Sequence, residues 1–136
     1  MKSQNAIYAQ SGGVTSVINA TASAVIEASR KSKKINKLYA GKDGIIGILN
    51  EELIDTSLEN SSDIKKLMHT PGGAFGSCRH KLKDVNQSKK EYERLIDVFK
   101  AHNIGYFFYN GGGDSQDTSN KIAQYTKDAG FPVTCI

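Results

Sequence analysis

The chain has 136 residues, 38% of them hydrophobic and 24% charged, which suits one domain with a single core and excludes a disordered polymer. No apolar run approaches the roughly 18 residues that a membrane-spanning helix needs, and the first residues lead straight into a strand-length apolar run, not a signal-peptide pattern. The net charge of +4 includes three lysine pairs, Lys33-Lys34, Lys65-Lys66 and Lys89-Lys90, a scatter that reads as solvated helix surface rather than a nucleic-acid face.

In chain order, Ile7, Tyr8 and Ala9 predict a short buried strand, broken by Ser11-Gly12-Gly13. A helix is predicted over residues 15–32, capped by Thr15 or Ser16, with Val14, Val17, Ile18, Val25 and Ile26 largely on one face. Residues 37–40 predict a second strand. GKDGIIG, residues 41–47, is a turn leading into an apolar segment, and Leu53-Ile54 a further short strand. A short helix is expected over 62–68, and 70–82 is glycine-rich without a period. Ser88 and Glu91 form a capping box, and Tyr92, Leu95, Ile96 and Phe99 follow at helical spacing. Asn103 and Gly105 are expected to end that helix. Residues 106–109 predict a strand and 115–129 a helix, stopped by Gly130 with Pro132 just beyond, and 133–136 begins another strand.

Strands alternating with helices predict an α/β domain, doubly wound, with a mostly parallel sheet. The chain closes on β-prone apolar residues, so these 136 residues are expected to be the N-terminal part of a longer protein. Cys78 and Cys135 stand far apart, as in a cytoplasmic protein with free thiols.

Three glycine loops each carry two readings. Ser11-Gly12-Gly13-Val14-Thr15 leaves a strand and opens a helix. Glycines admit close approach to a ligand, and a helix N-terminus favours anions. It lacks the Walker lysine, so tight turn and phosphate site stay equally open. TPGGAFGSCRHK, residues 70–81, sets Arg79, His80 and Lys81 beside a glycine-rich backbone. Arg79 offers a two-pronged grip on phosphate and Lys81 a point charge. Taken alone, the segment reads first as a surface loop. Cys78 reads as a small packed residue, and His69, His80 and His102 receive no role. In Gly111-Gly112-Gly113-Asp114-Ser115, Asp114 either caps a helix beginning near Ser115 or holds magnesium beside phosphates. Asp117 reads as structural. In a parallel sheet the first and third loops point to one edge, and the second has the length to arch over it.

Ser11-Gly12-Gly13, Asn19-Ala20, Asp43-Gly44-Ile45-Ile46-Gly47, TPGGAFGSCR at 70–79 and Gly111-Gly112-Gly113-Asp114-Ser115 occur in that order. Together they resemble the N-terminal portion of the 6-phosphofructokinase family, and in detail its pyrophosphate-dependent branch. The resemblance covers the whole chain and about the first third of a family member. It implies transfer of a phosphoryl group from pyrophosphate to the 1-hydroxyl of fructose 6-phosphate in glycolysis, with Mg2+, by a cytoplasmic homo-oligomer of two doubly wound parts. It implies no nucleic-acid or membrane partner.

The resemblance places Gly12 and Gly13 at the phosphate donor and Arg79 on the transferring phosphoryl group. Gly112, Gly113 and Ser115 belong to the turn that meets the donor phosphates and metal. The ATP-dependent pattern there is Gly-Gly-Asp-Gly-Ser, so the usual metal-ligand position is Gly113 and the usual glycine position is Asp114. An aspartate there crowds and repels the α-phosphate of ATP, which pyrophosphate lacks; the metal falls either to Asp114 or, through water, to an acid downstream. Ile45 stands where ATP enzymes place an adenine-stacking aromatic. The family's catalytic base lies in a Thr-Ile-Asp-Asn-Asp motif downstream of Ile136, so the 136 residues alone are expected to be inactive. The alternatives are an ATP-dependent relative, a member of the NAD-kinase or lipid-kinase group, which shares a Gly-Gly-Asp-Gly turn, and a non-catalytic phosphate-binding fragment.

Overall fold

The computed structural model describes residues 4–10, 18–58, 62, 89–111 and 113–136, with backbone alone at 18–20 and 113–115. Strands β1 (Gln4–Gln10), β2 (Ile35–Gly41), β3 (Leu53–Asp55), β4 (Ile104–Asn110) and β5 (Thr134–Cys135) form one sheet in the order β3-β2-β1-β4-β5. β1 pairs in parallel with β2 and β4, and β4 with β5, while β3 runs antiparallel to β2. The helices are α1 (Ile18–Lys31), α2 (Ile45–Leu49), α3 (Lys89–Ala101) and α4 (Gly113–Asp128). The predicted α/β class with a mostly parallel sheet is what the chain adopts.

Alternation along β1 and β4 divides the core between the two sheet faces. Ile7, Ala9, Phe107 and Tyr109 point to one face, where they pack with Ile45 and Ile48 of α2, Tyr92, Leu95, Val98 and Phe99 of α3, and Ile122 of α4. The rings of Phe99, Phe107 and Tyr109 run in series, 5.9 and 5.3 Å apart between centroids. Ala6 and Tyr8 point the other way and pack with Ala22 and Ile26 of α1 and with Leu38, while Tyr106 and Phe108 are only half-buried there.

The helical spacing of Tyr92, Leu95, Ile96 and Phe99 predicts α3, and all four are buried; Ser88 of its capping box lies outside the described residues. Of the helix expected over 62–68, residue 62 alone is described, and it is helical. The expected turn is present at residues 42–44, and the apolar segment it leads into is a short helix, α2. Asp43 and Gly44 both take left-handed backbone angles (φ 59° and 72°), and Gly47 lies so close to the Lys42 backbone that a Cβ would overlap it. The Glu52 N–H donates to the Gly47 carbonyl at 2.7 Å, closing the turn into β3. One expectation fails: Gly105 does not end α3. Asn103, at φ 51°, makes the turn alone, and Gly105 is a buried residue of β4. The expected stop at Gly130 holds, with φ 79°.

Candidate active site

The helix after β1 covers one face of the sheet, and the helix after β4 covers the other. The strand order therefore reverses between β1 and β4. In open α/β sheets a ligand crevice lies at such a switch point, outside the carboxyl ends of the strands. Those ends are Gln10 and Asn110, and the two residues are in register.

The third glycine loop sits at that edge. Gly111 is exposed, and α4 begins at Gly113. The helix starts two residues earlier than expected, so Asp114 is its second residue and Ser115 its third. This corrects the reading of Asp114 as the cap of a helix beginning near Ser115. A residue already inside the first turn is past the capping position. Gly12, Gly13, Arg79, Lys81 and Gly112 lie outside the described residues, as do Cys78, His69 and His80.

Three polar side chains share the carboxyl edge on the α1 face. The Asn110 Nδ2 donates to the Tyr8 Oη at 3.0 Å. Burial pushes the Tyr8 phenol above its ordinary pKa, and the Asn110 bond only partly opposes it, so the hydroxyl is neutral at physiological pH. Gln10 is fully buried, and neither atom of its carboxamide has a hydrogen-bond partner among the described residues. Leaving such a group unpaired costs about 1–3 kcal/mol. Sequence reading missed this trio. The available signal was alternation: Gln10 continues the Ala6, Tyr8 series, so it points to the same face.

Other candidates turn out to be structural. His102 stands beside the amino end of β4, away from the carboxyl edge; its ring meets that of Tyr39 edge-on at 5.4 Å, and Nε2 lies 3.8 Å from Glu51. Its carbonyl accepts from Asn5 Nδ2 at 2.7 Å, while Asn5 Oδ1 accepts from the Lys37 N–H. Asp117 pairs with Lys121 at 2.9 Å, one helical turn on, as its structural reading expects. Burial pushes the Cys135 thiol up to about 11, so it is protonated and unreactive at neutral pH. Ile45 is fully buried in the core, and the outward-facing residue of that helix is Ile46, at 40% exposure. Among the described residues, no group of three His, Cys, Asp or Glu could hold a metal ion, and no helix is long and apolar enough to cross a membrane.

A mostly parallel sheet, helices on both faces and a polar switch point define a doubly wound α/β domain, a class whose ligands bind at the carboxyl edge of the sheet. The phosphofructokinase family model matches residues 5–136, and the chain belongs to that family. It is 59% identical, over its whole length, to a pyrophosphate–fructose 6-phosphate 1-phosphotransferase of Halomonas elongata and 55% identical to one of Methylococcus capsulatus, and covers 33% of each. The crystal structure of a pyrophosphate-dependent phosphofructokinase from Marinobacter aquaeolei is 62% identical, with a TM-score of 0.89 over 97% of this chain and 32% of that one. A phosphofructokinase from Pichia pastoris shares the fold at 16% identity, with a TM-score of 0.74 over 91% of this chain and 14% of that one. The chain thus spans about a third of the length of the curated relatives it matches.

Proposed function

We propose that the chain is the phosphate-donor-binding part of a pyrophosphate-dependent phosphofructokinase. The complete enzyme moves a phosphoryl group from pyrophosphate to the 1-hydroxyl of fructose 6-phosphate, as a cytoplasmic homo-oligomer. The observation that carries this reading is the identity of 54–59% over the whole chain to three proteins named for that reaction. The order Gly113-Asp114 supports it. A carboxylate at the start of α4 opposes the extra phosphate and bulk of ATP, whereas pyrophosphate ends short of it.

In this reading the backbone N–H groups of Gly12, Gly13, Gly112 and Gly113 and the hydroxyl of Ser115 receive the donor phosphates. Arg79 offsets charge on the phosphoryl group in transit, with Lys81 as a second cation. The bridging P–O bond of pyrophosphate breaks as the sugar oxygen bonds to phosphorus, and the hydroxyl proton passes to a base outside these 136 residues. Magnesium needs few protein ligands when it rides on substrate phosphates, often one or two carboxylates plus water. Gly113 offers none and Asp114 one, so in this reading Asp114 would hold the ion, or an acid downstream would reach it through water, and the ion would neutralise phosphate charge.

The test is a parallel assay of the full-length enzyme with magnesium pyrophosphate and with magnesium ATP. Pyrophosphate is expected to be the preferred donor, and the isolated 136 residues are expected to turn over neither. Preference for ATP by the full-length enzyme overturns the reading.

A further inference from the structure

We propose that Gln10 is a donor-positioning residue whose carboxamide N–H binds a phosphate oxygen of pyrophosphate. The inference rests on the pyrophosphate reading above and extends it to a residue outside the glycine loops. Three observations converge on it. Gln10 ends β1, in register with Asn110 at the end of β4, and so sits at the switch point itself. Its side chain is fully buried, yet its Nε2 and Oε1 both lack a partner among the described residues. Its neighbour on the same face, Asn110, is held by the Tyr8 hydroxyl at 3.0 Å and takes part in a fixed polar floor.

A buried carboxamide with nothing to bond is unstable where it stands, unless a ligand or water completes it. Its chemistry selects the ligand. The NH2 group offers two donors, and pyrophosphate presents many acceptor oxygens. The group is neutral, and so is the Tyr8 phenol beside Asn110. The floor can therefore receive an anion without repulsion, leaving charge balance to the loop cations and the metal. Position matters too. Gln10 immediately precedes Ser11-Gly12-Gly13 in the chain, so a bond from its amide fixes the donor relative to the first glycine loop. A carboxamide that met only a trapped water would leave donor affinity unchanged when replaced, and this separates the two roles.

The test uses the full-length enzyme and two variants. Gln10→Glu keeps the shape and removes the N–H donors; Gln10→Leu removes all polarity at similar volume. Kinetics are read for both substrates, and binding of magnesium pyrophosphate is measured directly by calorimetry. Both variants are expected to raise the KM for pyrophosphate about tenfold or more, as loss of a hydrogen bond to a charged group does. Calorimetric affinity should fall in parallel, with the KM for fructose 6-phosphate within about twofold of wild type. Gln10→Leu is also expected to melt at or above the wild-type temperature, so a folding failure of Gln10→Glu leaves one variant to decide. Unchanged pyrophosphate affinity in Gln10→Leu, or an equal loss for both substrates, overturns the role of Gln10 while leaving the donor assignment intact. A wild-type enzyme that does not use pyrophosphate overturns both.

Discussion

The two faces of the sheet are built for different ends. Under α2, α3 and α4 lies the larger apolar cluster, with aromatic rings in series from α3 through β4 and with Thr118, Ser119 and Thr126 of α4 buried beside it. Under α1 the cluster is small, and polar atoms sit inside it. Gln10 has no partner among the described residues, Tyr8 and Asn110 are bonded to each other, and Ser23 and Ser29 are buried. Apolar burial supplies most of the stabilising free energy, so the first face is the scaffold. The second face gives up stability at one edge and gains hydrogen-bonding groups there. The same two strands, β1 and β4, serve both faces through alternation alone.

Substitutions can break this division, and the largest effect is expected on the scaffold face. Phe107→Ala removes a fully buried ring that packs on Phe99 and Tyr109. It should cost about 3–5 kcal/mol in denaturant unfolding of the full-length enzyme. The KM for pyrophosphate of the folded fraction should stay near wild type; a large donor effect would show that the faces are not separable. Thr56→Val is next. The Thr56 hydroxyl, buried beyond β3, donates to the Leu38 carbonyl at 2.7 Å. Losing that bond should cost about 1–2 kcal/mol by the same measurement, again without a change in donor affinity.

The smallest effect is electrostatic. Burial alone would raise the Asp55 pKa, but bonds from the Ser57 hydroxyl and N–H, with Lys37 nearby, more than offset it and hold the carboxyl below its ordinary value. A depressed carboxylate contributes stability that is complete above the unfolded-state pKa of about 4 and is lost as pH falls through the folded value. Asp55→Asn should therefore lower the melting temperature slightly at pH 7, and the gap should close below about pH 4. A gap independent of pH would deny the carboxylate any part.

The scaffold is legible in the sequence because its signals are local. Tyr92, Leu95, Ile96 and Phe99 repeat with the helical period, and Gly130 marks a turn that needs a positive φ. α2 is not legible. IIGIL is too short to show a period and carries a glycine that reads as a breaker, yet Gly47 is the residue that lets the helix lie against the Lys42 backbone. Of the glycine loops, only the third reaches the described residues, where Gly111 lies just before α4, and the family resemblance names the use of all three. Gln10 is hidden for a different reason. Its meaning comes from register with Asn110, a hundred positions later in the chain, and from a helix that covers one face only. Neither fact exists until the sheet is assembled.

The measurement that bears most directly on the site is the donor preference of the full-length Asp114→Gly enzyme, set against wild type with pyrophosphate and ATP. Asp114 stands in the first turn of α4 at the switch point. If its carboxylate excludes ATP and serves the metal, turnover with pyrophosphate falls about tenfold or more and ATP binding becomes measurable. An unchanged ratio between the two donors would contradict the assignment of Asp114 as the residue that selects pyrophosphate.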